Sequence, residues 1–97
     1  MSGFSAEWLA LREPADVAAR SAAVTRFVTA TFQAQSVVRV IDLGSGTGSN
    51  VRYLSPHLPS AQHWQLMDNE PALLDKARSL TSPDGAAANA MRSLRAR

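Results

Sequence analysis

The stretch Val40-Ile41-Asp42-Leu43-Gly44-Ser45-Gly46-Thr47-Gly48-Ser49-Asn50 puts three glycines at alternate positions directly behind an apolar, β-branched run. An apolar run that stops at so bare a loop, followed by Val51, Leu54 and Leu58 at helical spacing, predicts a strand, a sharp turn and a helix. Val37 to Leu43 is nearly continuous in its apolarity, which predicts a strand buried on both faces. Pro56 kinks or ends the helix, and His57-Leu58-Pro59-Ser60 has turn chemistry. Gln62 to Met67 reads as a second strand, and Leu73, Leu74, Ala77 and Leu80 behind Pro71 make an apolar helical face. Strand, glycine loop, helix, strand, helix is a βαβ unit with one helix more. Parallel strands are the expected pairing.

Ahead of this unit lies a helical lead-in. Ser5 can cap a first helix, with Phe4 packing on Leu9 as a hydrophobic staple. Pro14 is expected to end that helix early, by pushing Glu13 out of helical angles, and to open a second one. Val17, Ser21, Val24, Val28 and Phe32 then recur at helical spacing and predict one buried face. Beyond the unit, Thr81-Ser82-Pro83-Asp84-Gly85 stops the last helix. Ala86 to Arg97 favours a fraying helix through its alanines. The chain thus divides into a lead-in over 1–36, an α/β unit over 37–80, and a basic, poorly ordered tail over 81–97.

Composition removes several functions. The 97 residues contain no cysteine, which excludes disulfides, thiolate metal sites and cysteine nucleophiles, and only two histidines, so no metal site is expected. No apolar run approaches the roughly 18 residues of a membrane span. Met1 to Leu11 carries Glu7 and lacks the pattern of a secretory signal, so the expectation is a soluble, cytoplasmic protein without a membrane partner. The net charge of +2 does not mark a nucleic-acid surface. Residues 1–90 hold seven Lys/Arg against eight acids, and the excess sits in Arg92, Arg95 and Arg97, with no aromatic residues to stack on bases. Nucleic acid is not an expected partner.

The loop is the feature that carries chemistry. Glycines let a ligand lie against the backbone, and Asp68, twenty residues after Gly48, falls where the second strand should end beside the first. A carboxylate there can accept both hydroxyls of a ribose, which points to an adenosine-like ligand. A Walker loop fails because Ser49 stands five residues after Gly44, where Gly-Lys-Ser/Thr would have to begin, and G-x-G-x-x-G fails at Ser49 or Val51. Asp42 repels a pyrophosphate and suits an ammonium group. Each feature also has a plainer reading, the glycines as a bare turn and Asp68 as a helix-start acid. Arg12 and Arg20 read first as solvated or salt-bridged, and only second as reaching a ligand carboxylate. Trp8 and Trp64 read as core or lid packing, His57 as a surface residue and His63 as a strand residue.

Asp42-x-Gly44-x-Gly46-x-Gly48 with Asp68 resembles the first motif and ribose acid of class I S-adenosylmethionine-dependent methyltransferases. "FSAEWLALREPADVAARS", "VIDLGSGTGSNVRYLSPHLP" and "LMDNEPALLDKAR" are similar to an uncharacterised bacterial subgroup, over about residues 4–80. The resemblance implies a Rossmann-like methyltransferase fold, S-adenosylmethionine as cofactor and a small-molecule methyl acceptor. It places Gly44, Ser45, Gly46 and Gly48 along the methionine part of the cofactor and Asp42 near its ammonium, often through water. Asp68 would hold the ribose, with Met67 and Asn69 near the adenine. It assigns no catalytic residue.

The family sheet has seven strands, and only two are expected here, so the chain reads as the N-terminal portion of such an enzyme and inactive alone. A truncation, a broken reading frame and a split subunit all fit that shortfall. Self-association or a completing chain is then expected at the bare edge of the first strand. Two other functions stay open: a non-catalytic remnant or partner-dependent module, and a fragment of a nucleotide-dependent oxidoreductase.

Overall fold

The computed structural model describes residues 5–81 and 93–96. In chain order the elements are α1 (Ala6–Ala19), α2 (Ala22–Phe32), β1 (Val38–Leu43), α3 (Ser49–Leu54) with a 3-10 turn at Ser55–His57, β2 (Gln62–Met67), α4 (Pro71–Leu80) and β3 (Ser93–Ala96). The strands form one parallel sheet in the order β1-β2-β3. Val38 pairs with Gln62 and Leu43 with Met67, so β1 and β2 end level with each other. This is an α/β arrangement with the expected βαβ order.

The core lies between one face of the sheet and the helices α3 and α4. Val51, Trp64, Leu66, Leu74 and Ala77 are buried together, with Val40, Leu54 and Leu58 packed against them. Pro71 at the start of α4 costs no hydrogen bond, because that amide would have had no partner within the helix. The side chain of Gln62 is fully buried and fully used. Its Nε2 donates to the carbonyls of Ser55 (2.9 Å) and Pro59 (2.7 Å), and its Oε1 accepts from the Trp64 indole at 2.8 Å. It ties the 3-10 turn to the sheet and leaves the indole satisfied.

Four expectations are corrected. First, Pro14 does not divide the lead-in: α1 runs through it to Ala19, and the break falls at Arg20 and Ser21, where Ser21 caps α2 through the Val24 amide. The carbonyl that Pro14 leaves without an amide partner belongs to an exposed helix, where water can take it, and Glu13 is held in the helix by Arg52. Second, neither α1 nor α2 buries a residue: on the expected stripe Val24 is 61% exposed and Val28 only half-buried. Third, β1 is covered on one face only: Val38 and Asp42 are buried, whereas Ile41 and Leu43 are 64% and 74% exposed. Fourth, the chain has a third strand where helix was expected, with Ser93–Ala96 pairing parallel to β2. Backbone pairing on an open sheet edge overrides the helical preference of alanine there. The Phe4 staple, the turn at 82–85 and most of the tail lie outside the described residues.

Gln62→Ala removes the partners of an indole and two carbonyls at a buried site. A loss of about 2–3 kcal/mol in urea unfolding, followed by circular dichroism, is expected, against under about 0.5 kcal/mol for exposed His63→Ala.

Candidate functional site

Because β1 and β2 end level, the residues that follow them meet at one end of the sheet. The amides of Gly44 and Ser45 both donate to the Met67 carbonyl, at 2.7 and 3.1 Å. The next donor, the Gly46 amide, goes to Asp68 Oδ2 at 2.9 Å, while Asp68 Oδ1 accepts the Glu70 amide at 2.9 Å. Asp68 therefore clamps the glycine loop and shapes its own turn into α4. Each oxygen keeps a second lone-pair direction for another donor. The Gly48 amide closes back on the Ser45 carbonyl at 3.0 Å. The amides of Gly44, Ser45, Gly46 and Gly48 are thus spent inside the protein and do not serve a phosphate.

Gly44, Gly46 and Gly48 all have positive φ, at 67°, 56° and 89°. Gly48 serves the fold: it is the left-handed cap of α3, and a Cβ there would meet Ala77 Cβ and Arg52 Nη1, both at 3.5 Å. Gly46 lies under helix α1, where a Cβ would stand 3.4 Å from Leu9 Cδ1. Gly44 is different. A Cβ there would meet nothing within 4 Å, so its backbone is open to a neighbour from outside.

A cavity of about 330 Å³ lies over the loop, walled by Gly44, Ser45, Gly46, Asp68 and Asn69 on the sheet side and by Leu9, Glu13 and Asp16 of α1 opposite. Gly44, Met67, Asp68 and Asn69 also line a shallower depression beyond the strand ends. The structure thus gathers five expected site residues on one wall. Asp42 and Gly48 are not on that wall.

Asp42 sits behind the loop, 8% exposed. Asn50 Nδ2 donates to its Oδ1 at 3.0 Å, and Asn50 Oδ1 in turn accepts from Arg20. Its Oδ2, like the Ser45 hydroxyl, is buried without a hydrogen-bond partner among the described residues. Burial pushes the Asp42 carboxyl above its ordinary range; the Asn50 hydrogen bond and the Arg20 charge work against that, and the Asp68 charge adds to it. Arg12 pairs with Asp16 and lies over Trp8, and Arg20 lies over Tyr53, so both arginines are engaged within the protein.

Sequence reasoning missed Asn50, Arg52 and Glu13. Arg52 donates to both carboxylate oxygens of Glu13 and to the Thr47 carbonyl, at 2.7 Å for the latter. No local signal could have found a partner 39 residues away. No protein-family model matches the chain, and no curated protein matches it significantly. Among the described residues there is no cluster of metal-ligating side chains and no helix long and apolar enough to cross a membrane.

The Asp42 shift sets a pH dependence. With the folded pKa raised above 3.8, the native state binds more protons than the unfolded chain, so this group takes stability away as pH rises from about 3.8 through the raised value. Asp42→Asn should flatten that decline in urea midpoints measured across pH 3–8. An unchanged pH profile would show that Asp42 is not its source.

Proposed function

We propose that the chain is the S-adenosylmethionine-binding portion of a class I methyltransferase that acts on a small-molecule acceptor. The observation that carries this reading is the meeting of Gly44, Gly46 and Asp68 at the level ends of two parallel strands, on the wall of one cavity. Ligands of open α/β sheets bind outside the carboxyl ends of the strands. Asp68 keeps acceptor capacity for ribose hydroxyls, and the open backbone at Gly44 suits close approach of a ligand chain. The unpaired Asp42 Oδ2 and Ser45 hydroxyl suit an ammonium group reached from behind the loop through water. The cofactor would supply an electrophilic methyl group. These residues would bind and orient it.

The spent loop amides favour this ligand over NAD, whose pyrophosphate needs free donors. Titration calorimetry with S-adenosylmethionine, S-adenosylhomocysteine and NAD tests the choice. Binding of the first two and not the third is expected, and NAD binding alone would reverse the assignment. Asp68→Ala should weaken S-adenosylhomocysteine at least tenfold, since a charge-assisted hydrogen bond is worth about 1.5–3 kcal/mol. It should also lower the unfolding midpoint, because the Gly46 and Glu70 amides lose their acceptor.

A second reading rests on the uncovered face of β1, where Ile41 and Leu43 stand exposed. It makes the chain a partner-dependent module that is inactive alone. Light scattering that shows a concentration-dependent rise in mass, with no label transferred from radioactive S-adenosylmethionine to a metabolite pool, is the outcome this reading expects. A monomer that turns over label would exclude it.

A further inference from the structure

Helix α1 lies across the cavity without burying any residue of its own. Side chains hold it there. Near its N-terminal end Leu9 rests on Gly46, and at its C-terminal cap Arg20 reaches Asn50 and stacks on Tyr53 at 4.4 Å. Between them, Glu13 accepts Nε and Nη2 of Arg52 at 2.9 and 2.6 Å, a bidentate fork. The third contact of the same guanidinium is Nη1 to the Thr47 carbonyl in the glycine loop. One cation therefore joins the helix over the cavity to the loop beneath it.

We propose that the Glu13–Arg52 pair is a latch that holds α1 closed over the glycine-loop cavity, with the break at Arg20 and Ser21 as the hinge. That the latch gates a cofactor rests on the function proposed above; the latch itself does not. Its strength suits a device that opens. The two side chains are 23% and 24% exposed, so water reaches the ions as they part and no bare charge is left buried. The Arg12–Asp16 pair, 49% and 48% exposed and confined to α1, joins the helix to nothing else. Once detached, a 14-residue helix containing Pro14 is too short to keep its hydrogen bonds in water. Opening is therefore visible as exchange of its amides.

Hydrogen exchange on the 97-residue chain tests this, read separately over α1 and over β2. Glu13→Gln should speed exchange in α1 at least tenfold and leave β2 unchanged, and Arg12→Ala should leave both unchanged. Arg52→Lys, which keeps the charge and loses the fork, should behave as Glu13→Gln and serves if the latter does not fold. Unchanged α1 exchange, equal acceleration in β2, or failure of both latch variants to fold would each overturn the latch. In stopped-flow binding of S-adenosylhomocysteine, Glu13→Gln should raise association and dissociation rates together by at least threefold. A latch that opens by exchange in a chain that binds no S-adenosylhomocysteine would sustain the latch and remove the cofactor reading.

Discussion

The hydrogen bond from the Gly46 amide to Asp68 fixes the end of the sheet on which the site is built. It is possible only because β1 and β2 stop at the same level, Leu43 opposite Met67. From that register the Met67 carbonyl collects the amides of Gly44 and Ser45, and the carboxylate one residue later collects the next donor that can reach. A slip of β2 by one residue would turn Trp64 and Leu66 to the opposite face and carry Asp68 away from the loop. Trp64 and Leu66 resist that slip because they fill the core against Val51, Leu74 and Ala77. Packing sets the register, and the register sets the site.

The parts of this arrangement that were legible in the sequence are those written in local pattern. The βαβ order, the parallel pair, the Ser5 cap, the burial of Leu73, Leu74 and Ala77 (though not of Leu80) on α4 and the convergence of Gly44, Gly46 and Asp68 all follow from period, glycine placement and strand-end spacing. What was not legible depends on partners distant in the chain. Whether Val24 or Ile41 is covered depends on whether another element lies against it, and an apolar stripe states only a preference. Pro14 illustrates the same point from the other side. Its local rule ends a helix at Glu13, yet the fork to Arg52 keeps Glu13 helical. The third strand was missed because Ser93–Ala96 carries almost none of the branching that marks β1.

Asp68 also shows why one residue can satisfy two readings of a sequence. Read plainly, it is a helix-start acid, and its Oδ1 accepts the Glu70 amide just ahead of α4. Read functionally, it faces the cavity, and its Oδ2 holds the loop rather than standing free. A carboxylate with two oxygens and four acceptor directions can do both. The structural bonds orient it, which removes the rotational freedom a ligand would otherwise have to freeze.

Two polar chains run from α1 to the loop, and they reach its opposite ends. Arg20 leads through Asn50 to the buried Asp42 before the first glycine, and Glu13 leads through Arg52 to Thr47 before the last. Between those points the loop has no apolar side chain of its own to pack, since Gly44 to Gly48 is glycine, serine and threonine. Its shape is therefore held by polar contacts, each worth far less than a buried leucine would be. Asp42 illustrates the cost: a buried carboxylate with an unpaired oxygen opposes folding wherever it is ionised. The contacts that set the loop's shape come from Asp68 behind β2 and from Arg52 of α3.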